Sequence, residues 1–327
     1  MVFLEHLLFA FNVLFPLLLL AFLGGLLRTK NIIQKPFVDQ LNGFIFNIAL
    51  PVMIFHTLAS SDGFASITVG VFIFVATATL FITGIGFLLV RLKPWDKATK
   101  PVVLQSLFRG NYVIIGMPLA LRLGGQEALA VLVVLNALMI PLTNLLSYVT
   151  FSLFQDNQSD KTSFSLVLKR TFFNPIMISV VLGMVAYLFT DTYTRLTSTV
   201  TVIPDTMAMI QATVTPMALL AIGAQFQFKK IQAVKAILVF AVISRMVVVP
   251  LMVFSMAYLL RHQIDFSQSW IALVALFASP VAVASVAVTK GLNGDDELAS
   301  QLVILDTAVA LFTVFIAIVW MRSMGLF

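Results

Sequence analysis

Residues 109–118 read RGNYVIIGMP, inside a run that is otherwise apolar enough to cross a membrane. An arginine, an asparagine, two glycines and a proline within one stretch of helix in lipid need a physical reason. Pro118 lacks an amide hydrogen and its ring displaces the carbonyl four residues back, while Gly110 and Gly116 tolerate φ values that other residues avoid. The segment therefore predicts a helix broken near Gly116 and Pro118. Irregular backbone at membrane depth persists only where it is buried in protein or lines a polar cavity, because free amides and carbonyls in lipid are strongly penalised. Such a break points to a cavity.

Composition sets the class around it. With 60% hydrophobic and 10% charged residues and a mean hydropathy of +1.04, too little polar surface exists to coat a water-soluble globule. The chain reads as an all-α polytopic membrane protein. Its net charge of +6 does not imply nucleic acid, because the basic residues fall in short clusters between apolar runs and form no basic-aromatic stripe. The absence of cysteine excludes disulfides, thiolate nucleophiles and cysteine metal sites. His6, His56 and His262 are scattered near span ends, and neither HExxH nor G-x-S-x-G occurs, so no enzyme, metal centre or cofactor is expected. The run from Leu7 to Leu27 is too long for a signal h-region and reads as the first span.

Ten spans can be drawn, at 7–27, 37–58, 67–90, 101–123, 127–153, 172–189, 205–227, 233–259, 268–290 and 298–321. Of the 20 basic residues, fourteen fall on one side of this arrangement, among them Arg28, Lys35, Lys97 and Lys290, and four on the other, Arg122, Arg195, Arg261 and Arg322. The basic side is the cytoplasmic one by the positive-inside rule, so both termini are expected outside a bacterial inner membrane. The remaining two, Arg109 and Arg245, lie within spans.

Landmarks recur across the two halves. Pro16 and Gly24 answer Pro175 and Gly183 at an offset of 159, and Pro51 answers Pro216 at 165. Pro118 and Gly124 answer Ser285 and Gly291 at 167, and Asn136 answers Asp306 at 170. Offsets that grow slowly and never reverse are what small loop insertions produce. Two five-span repeats must be inverted, since five is odd. The expected division is 1–155, a short cytoplasmic linker at 156–171, and 172–327.

The strings LNGFIFNIALPVMIFHTLA, RGNYVIIGMPLALRLGG, VLNALMIPL, NPIMISVVLGMV, TPMALLAIGAQF and SPVAVASVAV together resemble the auxin efflux carrier family, whose bacterial members include proteins described as malate permeases. The likeness runs from the first span to the last. It implies ten helices in an inverted repeat of the sodium/proton antiporter type, with spans 4 and 9 crossing as broken helices. It also implies a scaffold of spans 1, 2, 6 and 7, a mobile transport part of spans 3–5 and 8–10, elevator-like movement, and a homodimer joined through the scaffold. Two departures stand out: Ser285 replaces the span 9 proline of the plant carriers, and span 3 carries no charge, which disfavours auxin itself as the natural substrate.

Candidate substrate contacts follow. Asn111 can donate an amide hydrogen to a carboxylate, and the resemblance also places an asparagine before the crossover proline. Gly116 and Pro118 would shape the first break, with Ser279, Pro280 and Ser285 facing them from span 9. Asn136 could reach the same cavity or fasten helices through a hydrogen bond. Arg109 and Asp306 both sit about 12 Å in from the basic side and could pair, either permanently or with Asp306 as a proton carrier. Arg245 could balance an anion or donate to span-end carbonyls. The expected function is a secondary transporter of a small organic anion, embedded in the lipid bilayer, with possible proton coupling. A passive anion channel and a sodium-coupled symporter are the alternatives.

Overall fold

The computed structural model describes residues 2–60, 67–154, 169, 173–225 and 235–327, and these are helical with no β-strand. The linker reading of 156–171 falls outside them apart from Lys169. In chain order the helices are α1 (Val2–Thr29), α2 (Lys35–Phe44), α3 (Leu50–Ala59), α4 (Val69–Arg91), α5 (Thr99–Phe108), α6 (Met117–Phe154) and α7 (Pro175–Leu188). There follow α8 (Thr190–Thr199), α9 (Val202–Gln225), α10 (Lys235–Ile243), α11 (Val249–Leu260), α12 (Trp270–Phe277), α13 (Ala284–Gly291) and α14 (Asp296–Ser323).

Three five-residue π turns interrupt this sequence, at Ile45–Ala49, Tyr112–Gly116 and Ser244–Val248. Each is followed by one residue and then a proline: Pro51, Pro118 and Pro250. A proline ring would strike the carbonyl four residues back. The wider turn carries that carbonyl aside, and the amide just before the proline reaches five residues back instead, as Leu50 does to the Ile45 carbonyl and Val249 to the Ser244 carbonyl. Pro216, in contrast, lies within uninterrupted α9.

Among the described residues, seven helices are long and apolar enough to cross a membrane, or eight if the bent pair α7 and α8 counts as one span. Ten spans were expected from hydropathy, and the difference has identifiable causes. The outer half of span 4 runs into span 5 within α6, with a kink at Gly124 and Gly125, the latter at φ 66 and ψ −155. Span 9 is divided into α12 and α13, each of 8 residues. At the end of span 6, Phe189 leaves helical geometry and the chain turns by 94° into α8, a polar helix with no buried residue.

Two helix crossings are close enough to exclude side chains. A Cβ on Gly24 of α1 would strike the Leu220 carbonyl of α9, and one on Gly223 of α9 would strike the Ala21 carbonyl of α1. The second crossing lays α7 on α3, where a Cβ on Gly183 would meet the Leu58 Cβ at 2.8 Å. Small residues let backbones approach and gain dispersion contacts, which is how helices associate in lipid.

Candidate functional site: the crossing of two unwound helices

The helix that begins at Thr99 ends at Phe108, and the one that begins at Trp270 ends at Phe277. Between those ends and the outgoing halves, the two unwound segments cross antiparallel, Gly110 against Val281. The Asn111 amide donates to the Pro280 carbonyl at 2.7 Å, and the Ala282 amide donates to the Arg109 carbonyl at 3.0 Å. Gly110 occupies the point of closest approach. A Cβ there would strike Arg245 Nη2 and lie 2.9 Å from Ser279 Oγ.

Several of the freed carbonyls find donors, as burial in an apolar medium requires. Arg245, with none of its surface exposed, donates through Nη1 to Leu107 O at 3.0 Å and through Nη2 to Ser279 O at 2.7 Å and Leu276 O at 3.4 Å. Tyr112 Oη donates to Phe108 O at 2.7 Å, and the Arg109 carbonyl is held by Ala282 as above. Thus one guanidinium ties together the carbonyl ends of both incoming half-helices, where the helix dipoles place partial negative charge. Of the two roles open to Arg245, the structure places it on span-end carbonyls. Thr289 Oγ1 adds a bond to Gln105 Oε1 at 3.2 Å, joining the two half-helices that lie toward the basic side.

Beside the crossing lies a cleft of about 570 Å³. Arg109 and Asn111 line it together with Tyr112, Val113 and Ile114, the first turn of the outgoing half of span 4, and with Ala282 and Ala284 at the start of α13. Arg109 is 9% exposed and Asn111 is 4% exposed. The Asn111 amide nitrogen Nδ2 has no hydrogen-bond partner. Arg109 Nη1 donates to Ser147 Oγ at 3.2 Å and Thr143 O at 3.4 Å, both on α6. Thr143 and Asn144 of α6 complete its polar lining, and the rest of the wall is Gly110 with the apolar Ile140 of α6, Phe46 from the π turn before α3 and Ile176 from α7.

Several expectations change here. The break of span 4 falls at Arg109–Asn111, earlier than Gly116 and Pro118, because the π turn absorbs the proline. Gly116 instead admits α12, since a Cβ on it would lie 2.9 Å from the Ala275 carbonyl, and Pro118 sits in regular helix α6. The break of span 9 does fall around Pro280, between Phe277 and Ala284. Arg109 and Asp306 do not pair: Arg109 turns to α6, and the Asp306 carboxylate stands by the Val281 backbone at the crossing. Their equal depth was a poor guide, because they occupy different azimuths of the bundle. Asp306 lies within electrostatic reach of Arg245 instead.

Ser279 uses its hydroxyl on Leu276 O at 3.3 Å, while the hydroxyl of Ser285, at the start of α13, has no partner. Asn136 is 1% exposed, and neither polar atom of its side chain finds a partner, so the fastening hydrogen bond is not made. Asn136, Asp306, Ser279, Pro280 and Ser285 are not among the residues lining the cleft. Tyr112, Thr143 and Asn144 belong to the site but escaped sequence reasoning. The spacing of Thr143 and Ser147, one turn apart on a span, was a signal for a polar stripe facing Arg109.

An apolar helical bundle organised around two unwound crossing segments with buried charge is the architecture of a solute carrier. The chain belongs to the membrane transport protein family, that of the auxin efflux carriers, whose family model matches residues 9–318. It is a multi-pass membrane transporter. No curated protein matches the chain.

Proposed function

We propose that the protein is a secondary transporter that moves a small organic anion, a carboxylate such as malate or an aromatic acid, across a bacterial inner membrane by elevator-type alternating access. One observation carries the reading. At the crossing, Arg245 satisfies the negative carbonyl ends of both incoming half-helices, while the amide ends of both outgoing halves, Arg109 and the unpartnered Asn111 amide meet in one cleft. That leaves a surplus of positive potential and unpartnered donors on Asn111 Nδ2 and Arg109 Nε, which suits a carboxylate.

The ten-span inverted repeat is part of this proposal. It is supported by an exchange in the packing: span 1 crosses span 7 at Gly24, and span 6 crosses span 2 at Gly183, the residue that Gly24 answers in the sequence. These four spans would form the scaffold and the dimer contact. The transport part would carry the crossing, with Asn111 as first substrate contact and Asp306 as the group that takes up a proton. The basic side would be cytoplasmic and both termini outside.

The test is solute counterflow in proteoliposomes with labelled malate, other dicarboxylates and indole acetate. Saturable, overshooting accumulation of one of them is expected. Flux of these anions without saturation or counterflow, from protein shown to be folded, would replace the carrier with an anion channel. A sodium gradient added in a second arm separates the symporter.

A further inference from the structure

A second and larger cleft, of about 1240 Å³, opens on the basic side between the ends of α1, α2 and α9 and the helices α13 and α14. Its rim carries Arg28, Lys35 and Asp39. Lys35 is the first residue of α2, whose N-terminus has no side-chain cap, so helix amides add to the positive rim. Deeper in the bilayer lies a crevice of about 590 Å³ between α1, α9, α14 and the outgoing half of span 4. Its walls are leucine, isoleucine, alanine and valine, with Thr307 the one polar residue. Ile222 and Thr307 line both spaces, so the basic cleft and the apolar crevice adjoin. Leu311, on the crevice wall, is 39% exposed on a helix that crosses the membrane, so the crevice also opens to lipid.

We propose that this composite groove binds one anionic phospholipid of the basic-side leaflet, with its phosphate between Arg28 and Lys35 and an acyl chain in the crevice. Charge and depth both fit. Arg28 is half-buried, donating to Ile33 O at 3.4 Å while lining the rim. Along α1 the crevice runs from Ala21 to Leu14, about 10 to 21 Å below Arg28 at ~1.5 Å per residue. The acyl region of one leaflet extends over about 15 Å below the headgroups. A space at that depth lined by aliphatic side chains and one threonine favours hydrocarbon over a charged group. The lipid would lie along the seam between α1 and α14, and this placement does not depend on which solute the protein moves.

Native mass spectrometry of the purified protein, incubated with phosphatidylglycerol or phosphatidylethanolamine of the same chains, tests the assignment. The wild type should retain one phosphatidylglycerol about fivefold more strongly than phosphatidylethanolamine, the size of effect that two basic groups less one acid exert at a membrane surface. The double variant R28Q/K35Q should lose that preference, and A310F, which fills the crevice, should lower retention of both lipids. Equal retention of the two lipids by the wild type would overturn the proposal, as would an unchanged preference in R28Q/K35Q. Displacement of phosphatidylglycerol by millimolar malate or indole acetate would also overturn it, by assigning the groove to the solute.

Discussion

The backbone amide of Asn111 donates to the carbonyl of Pro280 at 2.7 Å, while the side-chain amide nitrogen of the same residue has no partner. The main chain of Asn111 is committed to the crossing and its side chain is left for a ligand. Asn111→Ala therefore keeps the backbone bond and loses the donor. Counterflow should fall by at least about tenfold, the size of one charge-assisted hydrogen bond, with little change in thermal stability. Full transport by this variant would remove Asn111 from the site.

Arg245 makes a structural contribution that a neutral residue cannot replace. Arg245→Leu leaves the carbonyls of Leu107 and Ser279 without their donor, and each unsatisfied buried group costs ~1–3 kcal/mol. A strongly lowered Tm in detergent, or failure to accumulate in the membrane, is expected. Arg245→Lys supplies one compact ammonium in place of a fork that spans both half-helices, so it should restore stability only in part. A wild-type Tm for the leucine variant would contradict the capping role.

Asp306 is fully buried, with its carboxylate by the Val281 backbone at the crossing. If it carries a proton, Asp306→Asn should still exchange labelled substrate but no longer respond to an imposed pH gradient. Gradient dependence equal to that of the wild type would assign the coupling elsewhere.

The glycines provide a matched pair. Gly24→Ala must push α1 away from the Leu220 carbonyl, whereas a Cβ at Gly84 in α4 meets nothing within 4 Å. The first change should lower Tm by several degrees. The second should leave it unchanged or raise it, since alanine is the better helix former by up to ~1 kcal/mol. Equal effects would mean that the α1 and α9 backbones are not in contact.

On the side away from the basic residues, Gln211 Nε2 of α9 donates to Gln126 Oε1 of α6 at 3.1 Å, next to the kink at Gly125. This bond joins the proposed scaffold to the proposed transport part. Gln211→Leu should favour the outward-open arrangement. With no native cysteine in the chain, maleimide labelling of a single cysteine at Val286, on the basic-side cleft, should then fall relative to one at the exposed Thr29. An unchanged ratio would mean that the bond does not hold the outer side closed.

Membrane class and the presence of breaks in spans 4 and 9 were legible in the chain because each is a local property. Hydropathy needs only a window of residues, and RGNYVIIGMP and ASPVAVASV announce irregular backbone wherever they are placed. Proline alone misplaced the first break. Whether Pro118 interrupts a helix or follows a π turn depends on whether the carbonyl at its fourth preceding residue can be moved aside, and that depends on what packs there. The polar helix α8 was missed for a similar reason, since TDTYTRLTST reads as a loop until the turn at Phe189 lays it against its neighbours.

By itself, then, the sequence determined that this protein lies in a membrane and which segments cannot be continuous helix. Only the tertiary structure decided what the buried charges do. Depth along a span can be counted in residues, but direction around the bundle is set by helix crossings made elsewhere, as at Gly24 and Gly223. In the folded bundle Arg109 turns to Ser147 rather than to Asp306, and Arg245 stands where the carbonyl ends of two distant half-helices converge.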